Sequence, residues 1–118
     1  MIQVDAFEFN DKTSDQLTHL KHWGKNVGED WPVVYIINSD TEAYVGETVN
    51  ASQRVLQHRA NKERCKLTEI RIVSDNDFNK SVILDLEAFL IKHMSAENKY
   101  NLQNGNGGLV HPERRFLR

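Results

Sequence analysis

The sequence predicts an α+β domain, a small three-stranded antiparallel or mixed sheet flanked by helices. Three observations predict it. Two β-branched runs, residues 33–37 and 43–48, stand either side of Asn38-Ser39-Asp40-Thr41-Glu42, the turn chemistry of a hairpin. Residues 67–73 alternate apolar and polar side chains, which suits a third strand with one buried face. Residues 81–94 carry a broad apolar stripe at helical spacing. At 118 residues the chain holds one domain with one core.

Residues 1–31 read as an N-terminal extension. Phe7 and Phe9 suggest a short strand, and Thr13 or Ser14 caps a helix running to about Trp23, with Leu17 and Leu20 on one face. His19 and His22 share a helical face, but no third metal ligand is near them in sequence, which favours a surface pair. Gly24, Gly28 and Pro32 mark a connecting loop. The domain proper is expected over residues 32–104. The run after Pro32, VVYIINS, is apolar on both faces, as in a strand covered on both sides. Asn50 or Ser52 starts a helix with Val55 and Leu56 inward, and Asp77 or Asn79 caps a long helix through Met94. The order is β-β-α-β-α. Residues 105–118 are expected to be a flexible basic tail or linker: a glycine- and asparagine-rich turn, then Arg114, Arg115 and Arg118. That basic end reads as a boundary within a longer chain.

Composition narrows the class. An apolar fraction of 39% and a charged fraction of 27% describe a folded domain rather than a disordered one. No apolar run approaches the roughly 20 residues of a membrane span. The opening MIQVDAFEFND lacks a basic region followed by an apolar stretch, so a cytoplasmic protein is expected. Cys65 is the single cysteine, which rules out an internal disulfide framework. The net charge of −2 gives no general attraction to nucleic acid. Between residues 50 and 66, however, Arg54, Arg59, Lys62, Arg64 and Lys66 face a single acid, Glu63. That local excess is either a solvated helix face or a phosphate-binding surface.

Glu87 is the residue that packing explains least. With Val82 set at zero and 100° per residue, the apolar residues of the long helix fill an arc from about 340° to about 200°. Glu87 falls inside it at about 140°, whereas Asp85 and Lys92 lie on the open side. A carboxylate there costs several kcal/mol unless it gains a cation or hydrogen-bond donors. Arg54 and His58 are four apart and share a helical face. Tyr35 sits in a strand otherwise built of Val and Ile, so its hydroxyl needs a polar neighbour. Tyr44 and Gly46 stand on the partner strand.

With these residues in place the sequence resembles the GIY-YIG nuclease domain family. Val33-Val34-Tyr35 corresponds to the first motif of that name, and Tyr44-Val45-Gly46, followed by Glu47-Thr48, to the second. Arg54 matches the family's helix arginine, His58 the histidine one turn later in a subset of members, Glu87 in LEAFLIKH the metal-binding glutamate, and Asn101 in KYNLQ the late asparagine; Asn104 competes for that last role. Val33-Val34 departs from the motif by losing its glycine. The resemblance implies a metal-dependent endonuclease hydrolysing phosphodiester bonds of nucleic acid, with DNA favoured over RNA as the substrate. Tyr35, Tyr44, Arg54, His58, Glu87 and Asn101 would be its catalytic residues. Glu87 would hold Mg²⁺ or Mn²⁺, ions that take carboxylate and water ligands. Arg59, Lys62, Arg64 and Lys66 would meet the nucleic acid. It also implies further domains of a longer chain as partners, such as a helicase-like module. The alternative is a module that binds nucleic acid or protein without cutting.

Overall fold

The computed structural model describes residues 1–104; the expected basic tail at 105–118 lies outside them. The elements in chain order are β1 (Gln3–Glu8), α1 (Thr13–Leu17), β2 (Val33–Asn38), β3 (Glu42–Thr48), α2 (Ala51–Arg59), a 3-10 turn (Arg64–Lys66), β4 (Glu69–Ser74), α3 (Lys80–Glu97) and β5 (Asn101–Leu102). The α+β class holds, but the expected three-stranded sheet is corrected to one of five strands in the order β1-β4-β2-β3-β5. The three anticipated strands form its centre. β1 extends it by pairing antiparallel with β4, from Gln3 opposite Ser74 to Glu8 opposite Glu69. β5 joins the far edge, parallel to the start of β3. A two-residue strand carries no periodicity of its own, and β1 becomes a sheet strand only through its distant partner.

β2 is sequestered on both faces as its composition demands, with Val33, Val34, Tyr35 and Ile37 all buried. Its hairpin with β3 is closed by Ser39, whose N–H donates to the Glu42 carbonyl at 2.8 Å and whose hydroxyl accepts from Thr41 and Glu42 N–H groups. One face of the sheet packs on α1, α2 and the loop carrying Val27, in a core of Phe9, Leu17, Tyr35, Ile37, Val55, Ile70 and Ile72. α3 covers the other face, burying Ile83 and Ile91 against Val34 and Val45. Among the described residues no helix is long and apolar enough to cross a membrane.

Two helix expectations change in detail. α1 stops at Leu17 rather than near Trp23. The chain reverses between His22 and Lys25, with Trp23 and Gly24 at φ +55° and +72°, and Gly28 then closes onto the helix end. A Cβ on Gly28 would lie 1.8 Å from the Leu17 carbonyl oxygen, so only glycine permits the contact. In α2 the buried positions are Ala51, Ser52, Val55 and His58, and Leu56 is exposed. Leu56 falls off the stripe that this spacing defines. Asn50 and Asn79 cap α2 and α3 through their side-chain oxygens, and α3 runs on to Glu97 before Asn98 at φ +56° ends it.

Candidate active site

Tyr35 and Gly46 are directly opposite on β2 and β3. The Tyr35 ring lies flat over Gly46: a Cβ there would come within 2.3 Å of its Cζ and hydroxyl. The missing side chain on β3 is therefore the space the Tyr35 ring occupies. The hydroxyl reaches Nε2 of His58 on α2 at 2.6 Å, which supplies the polar neighbour that a buried tyrosine needs. Tyr44, two residues before Gly46 and on the same face of β3, packs its ring 4.9 Å from His58 and 6.4 Å from Tyr35. The Arg64 guanidinium rests on the Tyr44 ring at 4.1 Å.

This aromatic cluster forms one wall of a cleft of about 410 Å³. The cleft opens beside the stretch of β3 that β5 leaves unpaired, so side chains from both faces of the sheet meet there. Arg54 enters from α2, Lys80, Leu84 and Glu87 from α3, and Glu47 from β3. Glu47 is held by Lys80, whose Nζ lies 2.8 and 2.7 Å from its two oxygens. Glu87 stands between Ile83 and Ile91, one turn from each, at the centre of the stripe facing the sheet, yet it is only half-buried because the cleft opens beside it. The outer edge of the predicted arc, Val82 and Phe89, faces solvent instead.

Burial dominates the electrostatics. It pushes the Tyr35 hydroxyl well above the usual tyrosine range; the neighbouring Tyr44 and Glu87 add to this and the Arg54 guanidinium opposes it. Burial also lowers His58 from 6.5 to about 4, assisted by the cationic Arg64 and Arg54. His58 is thus a neutral imidazole at neutral pH, able to accept a proton beside a hydroxyl that retains its own.

The structure brings Tyr35, Tyr44, Arg54 and Glu87 into one cleft, with His58 directly behind Tyr35. It does not bring Asn101 there. That side chain is exposed on β5, beside Thr41, Ser95 and Tyr100. Asn104 is the buried asparagine: its amide donates to the Val45 carbonyl at 2.8 Å and accepts from the Val45 N–H at 2.9 Å. The four basic residues divide. Arg59 is engaged by Asp11 and the Cys65 carbonyl and lies over Phe9, Arg64 joins the aromatic cluster, and Lys62 and Lys66 are exposed. Two cleft residues escaped the sequence reading, Glu47 as a site residue and Lys80 altogether. The signal was present in α3, where positions 80, 84 and 87 share one helical face.

Among the described residues no three His, Cys, Asp or Glu side chains cluster as a metal cage. The cleft offers two carboxylates and two phenols but neither His nor Cys along its lining. That donor set fits a hard ion that keeps most of its water, Mg²⁺ or Mn²⁺, rather than zinc. Compared with known protein families, the chain matches the GIY-YIG catalytic domain over residues 32–101. No curated protein and no solved structure matches it significantly. The match spans both tyrosine strands, α2 and α3, the elements that build the cleft, and the chain belongs to the GIY-YIG family of nuclease domains.

Proposed function

We propose that this domain is a divalent-metal-dependent endonuclease that hydrolyses phosphodiester bonds, with DNA as substrate. One observation carries the reading: the Tyr35 hydroxyl, 2.6 Å from a neutral His58, opens on the same cleft as Arg54 and Glu87. A raised tyrosine does not serve as a phenolate. It serves as a conduit. Tyr35 accepts a proton from the attacking water as its own proton passes to Nε2 of His58, so no buried phenolate forms. The water oxygen bonds to phosphorus, the bond from phosphorus to the leaving oxygen breaks, and that oxygen takes a proton from solvent. Arg54 holds the non-bridging oxygens, where charge builds in the transition state. Glu87 would hold a Mg²⁺ or Mn²⁺ ion, which would supply positive charge to offset the negative charge that builds in the transition state. Tyr44 fixes the position of His58 by packing on it. Lys62 and Lys66, exposed beside the cluster, add long-range attraction to the backbone, whereas Arg59 is already committed to Asp11.

The test is Glu87→Gln, which keeps shape and removes charge. It is expected to fold as the parent does, to bind DNA as the parent does, and to lose cleavage across a Mn²⁺ titration of supercoiled plasmid. Cleavage at the parent rate would remove Glu87 from the metal site. A folded parent that cuts neither plasmid nor structured RNA with Mn²⁺ present would favour the non-cleaving binding module.

A further inference from the structure

The arginines of the basic segment are held in different ways. Arg59 is held by Asp11 at 3.0 Å and the Cys65 carbonyl at 3.2 Å. The Arg64 guanidinium carbon lies over the Tyr44 ring, 4.1 Å from its centre, and its Nε is buried with no hydrogen-bond acceptor among the described residues. A guanidinium seated on an aromatic ring is held in place while its terminal amino groups remain able to donate. A buried donor without an acceptor is unfavourable until one arrives. A phosphate oxygen supplies both the acceptor and the countercharge. Tyr44 joins this group to the cleft: its ring bears Arg64, and the same residue lines the wall facing Arg54.

We infer that Arg64 binds the phosphate next to the scissile one, so that a nucleic-acid strand runs from the cleft of Arg54 and Glu87 across the Tyr44 ring. The inference rests on the nuclease reading above. It makes Arg64 a substrate-positioning residue, distinct from the surface lysines nearby, and it gives the strand a path over the site.

The experiment uses the full chain carrying Glu87→Gln, so that binding is read without cutting. The probe is a fluorescein-labelled DNA duplex on which the parent's cut position has been mapped, prepared with one neutral methylphosphonate at each position in turn. Neutralising one phosphate beside the cut position should weaken binding roughly tenfold. Adding Arg64→Met should weaken binding to the unmodified duplex by a similar factor and leave it insensitive to that methylphosphonate, with the salt slope lowered by about one contact. Arg64→Gln, which keeps a polar side chain without the charge, gives the same cycle should the Met variant not fold. A purely structural Arg64 would show no coupling to any single phosphate. If the losses from Arg64→Met and from every methylphosphonate simply add, this inference falls and the nuclease reading stands. If the parent binds and cuts no duplex at all, so that no cut position can be mapped, both fall.

Discussion

On the proposed reading, His58 ties the chemistry of the site to its stability, because its protonation state and its contact with Tyr35 depend on the same burial. In an unfolded chain its imidazole takes a proton near pH 6.5, while in the fold it resists until about pH 4. Between those values the unfolded state binds more protons than the folded one, so stability falls as pH falls. The contribution is fully present above pH 6.5 and is lost by about pH 4, amounting to up to about 3 kcal/mol. Thermal melts from pH 7 to pH 4 should show this decline in the parent, and His58→Gln should flatten it. Cleavage should fail over the acid end of the same window, since a protonated His58 can no longer accept from Tyr35. An acid limb unchanged by His58→Gln would remove His58 from the relay. Gly46 belongs to the same argument. A sequence shows a glycine; only the register of β2 against β3 shows that the Tyr35 ring fills its place.

At the scale of elements, the parts that were legible share a local cause. β2, β3 and α3 each carry a pattern complete within a few residues: continuous apolar burial, turn chemistry, a helical stripe with one acid in it. Glu87 was readable because an arc of apolar residues defines what is out of place. β5 and the two asparagines were not readable, because their roles are set by an edge that two distant segments make together. Asn104 occupies both hydrogen-bonding groups of Val45 where β5 ends, so its side chain continues the edge of β3 up to the cleft. Removing it leaves a buried N–H and C=O unpaired, at about 1–3 kcal/mol for each. Asn104→Ala should therefore lower the melting temperature clearly and loosen the strand that bears Tyr44 and Gly46. Asn101→Ala, at an exposed side chain, should change stability by less than about 0.5 kcal/mol. Chemical denaturation of the two variants decides the matter, and equal losses would deny Asn104 its place at the edge.

The whole molecule raises a different question, whether residues 1–31 are an accessory to the nuclease fold or part of what holds it. They lie outside the family match, yet they share its core. Phe9, Leu17 and Val27 are fully buried with Val55, Ile70 and Ile72, and β1 pairs along the length of β4. The segment also braces α2, the helix that carries Arg54 and His58. Ser14 and Ser52 exchange side-chain hydrogen bonds at 2.9 and 3.1 Å, the Ser52 N–H donates to the Gly28 carbonyl, and Asp11 holds Arg59. Burial of three large apolar side chains contributes on the order of 5–8 kcal/mol, comparable with the whole stability of a typical domain, about 5–15 kcal/mol. Deleting residues 1–31 would strip one face of β4 and unfasten α2, displacing His58 from Tyr35 even where strands still form. The truncated chain is expected to lose its cooperative melting transition and to bind a hydrophobic dye, with cleavage abolished. A truncation that melts cooperatively near the parent temperature and still cuts DNA would show that the catalytic fold stands on residues 32–118 alone, with the N-terminal strand and helix packed on it as an addition.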